Sequence, residues 1–275
     1  MKTPDYETEY NNRARVPEHP AIIEGWRADA AAYRAQSGSR LRMIPYGASE
    51  RQAIDLFAPT EPRSAATVLF IHGGYWQALD RSFFSHMARG LNAHGVPVAI
   101  VGYDLCPTVT VSTIVDQVRH ACASLASHGP LIAAGHSAGG HLAACLFATD
   151  WELHDQRPGL VRAGYAISGL FELEPLVETS INNALGLDRA EARRLSPVHW
   201  PLPLGGAFDA IVGGEESSEY LRQSRAIVEA WGTSGVHTRF EAIPGVNHFT
   251  VIAGLADPAS EMTRRVATLA GCHVD

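Results

Sequence analysis

No run of apolar residues in this chain is long enough to cross a bilayer, so no membrane-spanning helix is expected. Basic residues never form a run, and the 22 lysines and arginines are outnumbered by 29 acidic residues, a formal net charge of −7. A phosphate backbone would on average be repelled, which sets nucleic acid aside as a partner. The four cysteines, Cys106, Cys122, Cys145 and Cys272, lack CxxC spacing and follow or sit within apolar segments, as buried thiols in a reducing compartment do. Met1 to Arg15 is polar and of mixed charge, unlike a signal peptide, so a cytoplasmic location is expected. Internal repeats and low-complexity linkers are also missing, and one domain over residues 1–275 is the expectation.

What is present is the composition of a soluble globular enzyme, 46% apolar and 19% charged, in a chain long enough for a large α/β core. Val16 to Gln36 reads as a helix, opened by Pro17 and ended at Ser37-Gly38, with Ile22, Ile23, Trp26, Ala30 and Tyr33 as its apolar stripe. Leu41–Tyr46 and Gln52–Phe57 read as an antiparallel pair. Buried strands (Thr67–Ile71, Pro97–Gly102, Leu131–Ala134, Val161–Ile167) then alternate with helices (Arg81–Ala93, Ser112–Ser127, Gly139–Ala148). Such alternation implies a mainly parallel sheet covered on both faces. Leu170 to Pro203 breaks the pattern and reads as a small helical excursion over the site, a cap. Strands Asp209–Val212 and Thr238–Ala242 resume it around a helix at Glu219–Gly232, and Thr250–Leu255 and Pro258–Ala270 close the chain.

Three short motifs carry chemistry. Gly135-His136-Ser137-Ala138-Gly139 fits G-x-S-x-G and falls between a buried strand and a helix, the context of a nucleophile elbow in the α/β-hydrolase fold. The competing reading is a Gly/Ser strand-to-helix turn met by chance. His72-Gly73-Gly74-Tyr75-Trp76 follows Thr67–Ile71, where an HGG loop offers amide donors to an oxyanion; Gly73, Gly74 and Tyr75 are the candidates, with Ala138 from the elbow. Tyr75 and Trp76 are either pocket wall or core. Gly245-Val246-Asn247-His248-Phe249 follows the last strand, and position selects His248 among 13 histidines as the general base for Ser137. Phe249 is a candidate wall for an aromatic leaving group. His72 and His136 precede the working residues and are read as shaping their loops. His136 and His141 lack H-E-x-x-H spacing, so no metal is expected, and no organic cofactor either. For the triad acid, Glu215 and Glu216 both stand in the right loop, while Asp209 begins its strand at the wrong end.

On these residues the chain resembles the kynurenine formamidase (arylformamidase) branch of the α/β hydrolases. Tyr10-Asn11-Asn12-Arg13 is similar to the family's opening motif, and the HGGxW loop and the elbow through Gly140-His141 match. Ser168-Gly169, Ser196-Pro197, Glu219-Tyr220, Arg222-Gln223-Ser224 and the His248 loop are similar as well. The resemblance implies Glu216 as the acid, where the family usually has Asp. It implies hydrolysis of small-acyl esters or aryl formamides such as N-formylkynurenine; a small-molecule substrate is the expected partner, and a homodimer is left open. A broad short-chain carboxylesterase is the alternative. A non-catalytic ligand-binding protein of the same fold is the alternative of another class. A nucleotide-binding oxidoreductase would need G-x-G-x-x-G at the first strand–helix turn, which is missing.

Overall fold

The computed structural model describes residues 4–203, 205–233 and 235–272. Its frame is one sheet of eight strands: Leu41–Pro45 (β1), Ala53–Phe57 (β2), Thr67–Ile71 (β3), Val98–Val101 (β4), Leu131–His136 (β5), Val161–Ile167 (β6), Ala207–Gly213 (β7) and His237–Ile243 (β8). The spatial order is β1-β2-β4-β3-β5-β6-β7-β8. β2 runs antiparallel to β1 and to β4, and every pairing from β4 through β8 is parallel. β3 and β5 lie side by side, with Ile71 opposite Gly135, so the loops that follow them leave the sheet together.

Strand periodicity sorts the core into two layers. Val68 and Phe70 face one side with Trp26, Phe84, Leu91, Val251 and Val266; Leu69 and Ile71 face the other with Ile114, Leu142, Phe171 and Trp231. The first layer is roofed by His19–Ser37 (α3), the 3₁₀ turn Arg81–Met87 with Ala88–Ala93 behind it, and Glu261–Leu269 near the C-terminus. Val111–Ser124, Ala138–Phe147 and Ser218–Gly232 roof the second. Side chains at the helix starts fix several boundaries: Thr110 accepts from the Thr113 amide and Ser260 from the Thr263 amide.

The departures from expectation are local. Arg81–Ala93 splits into a 3₁₀ turn and a short α-helix. The excursion is built of short pieces, 3₁₀ turns at Glu174–Glu178 and Pro197–His199 with helices at Asn182–Leu185 and Arg189–Arg194. Through Ser180 and Ile181 it lines a cavity together with Gly74 and Tyr75. Over Ser137 itself lie two short helices, Tyr6–Tyr10 and Asn12–Arg15, which form an N-terminal strap. Each is capped by the preceding side chain, Asp5 accepting from Thr8 N and Asn11 from Ala14 N. Among the described residues, no helix is long and apolar enough to cross a membrane.

Two glycines test this packing in opposite directions. A Cβ on Gly139 would lie 1.9 Å from the Ile71 carbonyl oxygen, whereas one on Gly25, exposed on α3, would meet nothing within 4 Å. Gly139→Ala is expected to cost about 3 kcal/mol or more of stability. Gly25→Ala is expected to add about 0.5–1 kcal/mol. Urea denaturation midpoints moving in the same direction for both would contradict this packing.

Candidate active site

Ser137 stands between β5 and the helix Ala138–Phe147 with φ +57°, a conformation that a residue with a side chain adopts only when its surroundings impose it. Its amide donates to the Ile167 carbonyl on the neighbouring strand at 2.8 Å. Gly135 and Gly139 make the turn possible, since a Cβ on Gly135 would meet the Gly139 carbonyl oxygen at 2.0 Å. The Ser137 side chain is thereby lifted out at the carboxyl end of the sheet. The helix opening at Ala138 leaves its first amides without intrahelical acceptors there.

The loop after β3 passes directly beside it. A Cβ on Gly73 would lie 2.9 Å from Ser137 Cβ and 2.8 Å from the His136 carbonyl, so Gly73 is the spacer that lets the loop approach. Gly74, Tyr75 and Trp76 then take φ of +105°, +50° and +57° in succession. Among the described residues no acceptor engages the Gly74 or Tyr75 amide, and both residues line a cavity with Ser137. This curl is anchored by Trp76, whose carbonyl accepts from Cys106 N at 2.8 Å and whose ring is fully buried, edge-on to His141. Of the two readings open for Trp76, substrate-pocket wall or core, the structure gives core, because the left-handed turn drives its ring inward. Tyr75 turns the opposite way, into the cleft.

Glu216 and His248 arrive from the two loops that follow β7 and β8. His248 Nδ1 lies 2.6 Å from Glu216 Oε2, with both side chains almost entirely removed from solvent. The other carboxylate oxygen, Oε1, accepts from Ser168 Oγ at 2.5 Å and from the Gly213 amide at 2.7 Å. With Nδ1 taken, Nε2 is the imidazole nitrogen left for Ser137, which lines the same cavity. Glu215 is exposed at the rim. Asp209 lies inside β7 and pairs bidentately with Arg265, at 2.7 and 3.0 Å, as a structural ion pair.

The other histidines are tied to backbone. His72 stacks on Tyr103 with ring centroids 4.3 Å apart, and its Nδ1 is 2.8 Å from the Gly73 carbonyl. His136 Nε2 donates to the His248 carbonyl at 2.8 Å, which stitches the elbow to the histidine loop. Burial holds His72 and His141 down to about 4, and burial, with the neighbouring His248 ring as a second cause, holds His136 well below the imidazole range. These rings are neutral hydrogen-bonding and packing groups.

Several residues at this site were not singled out as site residues from sequence. Tyr220 packs its ring 4.8 Å from His248, and its hydroxyl bonds Tyr75 Oη at 2.7 Å, accepts from Asn12 Nδ2 at 2.9 Å and lies beside the Ser137 side chain. Tyr75 Oη also donates to the Tyr10 carbonyl at 2.6 Å. Ile23, Trp26 and Leu79 complete the apolar wall with Phe249, whose ring stacks on His19 at 5.5 Å. The signals were present in Tyr10-Asn11-Asn12-Arg13, Ser168-Gly169 and Glu219-Tyr220, but nothing in their spacing says that they meet. The cavity at Ser137 holds about 50 Å³; larger ones of about 350 and 320 Å³ adjoin it, the first bordered by His248 and Glu216, the second by Gly74 and Tyr75. Among the described residues, one trio has metal-ligand spacing, Glu172, Glu174 and His199, and it lies outside these cavities. Arg222 and Arg193 already pair its carboxylates.

The buried neutral histidines set an acid limit. His72, His86 and His141 titrate near 4 when folded, while an unfolded imidazole titrates near 6.5. Between those values the unfolded chain binds more protons, so stability rises with pH; it is fully present above about pH 6.5 and is lost as pH falls toward 4. Melting temperature followed by circular dichroism is expected to drop already between pH 6.5 and 5, before most carboxylates titrate. A flat profile across that interval would contradict the assignment.

A serine raised on a turn, free amides beside it and a carboxylate-held imidazole are together the equipment for acyl transfer. A family model described as alpha/beta hydrolase fold matches residues 68–252. The kynurenine formamidase of Danio rerio is 31% identical over 249 residues, 86% of this chain and 85% of the relative. That of Salmo salar is 33% identical over 239 residues, 83% and 81% respectively. A solved structure from Silicibacter sp. tm1040, provisionally named a thioesterase, superposes with a TM-score of 0.83 at 35% identity, covering 95% of this chain and 98% of its own. The chain belongs to the α/β-hydrolase fold family and is a hydrolase of its kynurenine formamidase-like branch.

Proposed function

We propose that the cleft hydrolyses small-acyl carboxylic esters or aryl formamides through an acyl-enzyme on Ser137. The observation that carries this reading is the buried 2.6 Å contact between Glu216 and His248 in the cleft lined by Ser137. Ser137 Oγ attacks the carbonyl carbon as His248 Nε2 takes its proton. Glu216 fixes the Nδ1–H tautomer and stabilises the imidazolium. The amides of Gly74, Tyr75 and Ala138 receive the oxyanion, each worth roughly 3–4 kcal/mol of barrier, with Gly73 as the spacer that sets their approach. Collapse breaks the C–O or C–N bond, and the proton on Nε2 passes to the leaving group. Water then repeats the sequence on the acyl-enzyme and frees Ser137.

The substrate range follows from space. A cavity of about 50 Å³ at Ser137 suits a formyl or acetyl group, and the ring of Phe249 on its wall suits an aromatic leaving group. The relatives named kynurenine formamidases support N-formylkynurenine as a substrate. The buried thiols of Cys106, Cys122 and Cys145 support a reducing compartment such as the cytoplasm.

Ser137→Ala is expected to abolish turnover and fluorophosphonate labelling while leaving the fold intact. Glu216→Gln should lower kcat by about 10³–10⁴-fold. Asp209→Asn should instead cost about 1–3 kcal/mol of stability, through a weakened bond to Arg265, and leave the chemistry in place. A kcat collapse in Asp209→Asn with a mild effect in Glu216→Gln would reverse the acid assignment. On substrates, kcat/KM is expected to be high for N-formylkynurenine and to fall from p-nitrophenyl acetate through butyrate to octanoate. Good acetate turnover with negligible formylkynurenine turnover would leave a short-chain esterase, and a preference for octanoate would overturn the small acyl pocket.

A further inference from the structure

Arg13 stands apart from the charges around it. The strap's carboxylates are mostly engaged: Glu7 accepts from Ser180 N and Oγ, Glu9 from Ser218 Oγ and Glu219 N, and Asp5 from Thr8. Glu219, beneath the strap, accepts from Tyr10 Oη and pairs with Arg222. Arg13 has no ion pair and no hydrogen-bond acceptor among the described residues. Among the described residues it is the only Arg, Lys, Asp or Glu lining either the Ser137 cavity or the adjoining cavity of about 320 Å³.

Its place is nonetheless held firmly. Tyr75 Oη donates to the Tyr10 carbonyl, Asn11 caps the turn through the Ala14 amide, and Asn12 Nδ2 donates to Tyr220 Oη. The residues before Arg13 are thus tied to the same two tyrosines that flank Ser137 and His248. Arg13 is exposed at the mouth of these cavities, and a guanidinium there without a carboxylate partner can grip a planar anion with two parallel N–H bonds.

We infer that Arg13 is a specificity residue that binds a carboxylate on the leaving-group side of the substrate, which makes the preferred substrates anionic aryl formamides or esters. This rests on the reading of the cleft as a hydrolytic site. The acyl group takes the small cavity at Ser137, and the larger cavity beyond Gly74 and Tyr75 receives the rest of the molecule with its negative group toward Arg13.

The test compares phenyl acetate with 3-carboxyphenyl acetate, two esters that differ by the carboxylate, in the wild type, Arg13→Gln and Arg13→Lys. In Arg13→Gln the ratio of kcat/KM for the carboxylated ester to that for the neutral one is expected to fall tenfold or more, mainly through KM. Arg13→Lys should recover part of it. In the wild type the ratio should shrink as sodium chloride is raised, since the contact lies at a solvent-open mouth. A ratio in Arg13→Gln equal to that of the wild type, including an equal loss on both esters, overturns the inference and leaves the hydrolase reading standing. A wild type that hydrolyses neither these esters nor N-formylkynurenine overturns the reading of this cleft as the hydrolytic site, and this inference falls with it.

Discussion

Three backbones meet at the elbow with no room for a side chain between them. Gly135 on β5 touches Gly139 on the helix that follows, and Gly139 touches the end of β3 at Ile71. That close approach holds Ser137 at positive φ, and the rest of the site is arranged around it. It requires β3 and β5 to be neighbours in register, which places the His72–Trp76 loop beside the serine. The cost of the turn is spread over strands buried on both faces.

The site uses histidine in two ways. His72, His136 and His141 are buried among rings and backbone carbonyls and stay neutral there. His248 alone faces a carboxylate, which is itself fixed by Ser168 and Gly213. The contrast comes from partners rather than from depth, since all four side chains are buried. A carbonyl partner fixes an imidazole's tautomer, whereas a carboxylate partner also stabilises the charge that a base acquires.

Most of the frame could be read from the order of residues because it rests on local signals. Thr67–Ile71 and Val161–Ile167 are strands over their expected spans, since a run buried on both faces leaves little ambiguity. The acid shows where local reading stops: Glu215 and Glu216 are adjacent and chemically alike, and family likeness favoured the second. What separates them is tertiary: Glu216 turns beneath His248 while Glu215 faces solvent. Trp76 is a similar case, since nothing in HGGYW tells which of two neighbouring rings a left-handed turn sends inward. The strap was illegible for a different reason: helices of five and four residues have no periodicity to detect. Its partners are far away in sequence.

That distance affects how the protein comes into being. Tyr10 meets Glu219 across 209 residues, and Asn12 meets Tyr220 across 208. During synthesis the strap is made some 200 residues ahead of its anchors and has nothing to dock on until they exist. The elbow, the HGG loop and the first layers of sheet are all translated while the mouth is still unlined. The strap is thus made before the sheet it closes over and docks after it, and the Ser137 elbow is translated 111 residues before His248. Completion of the fold and closure of the cleft around Ser137 become a single late event.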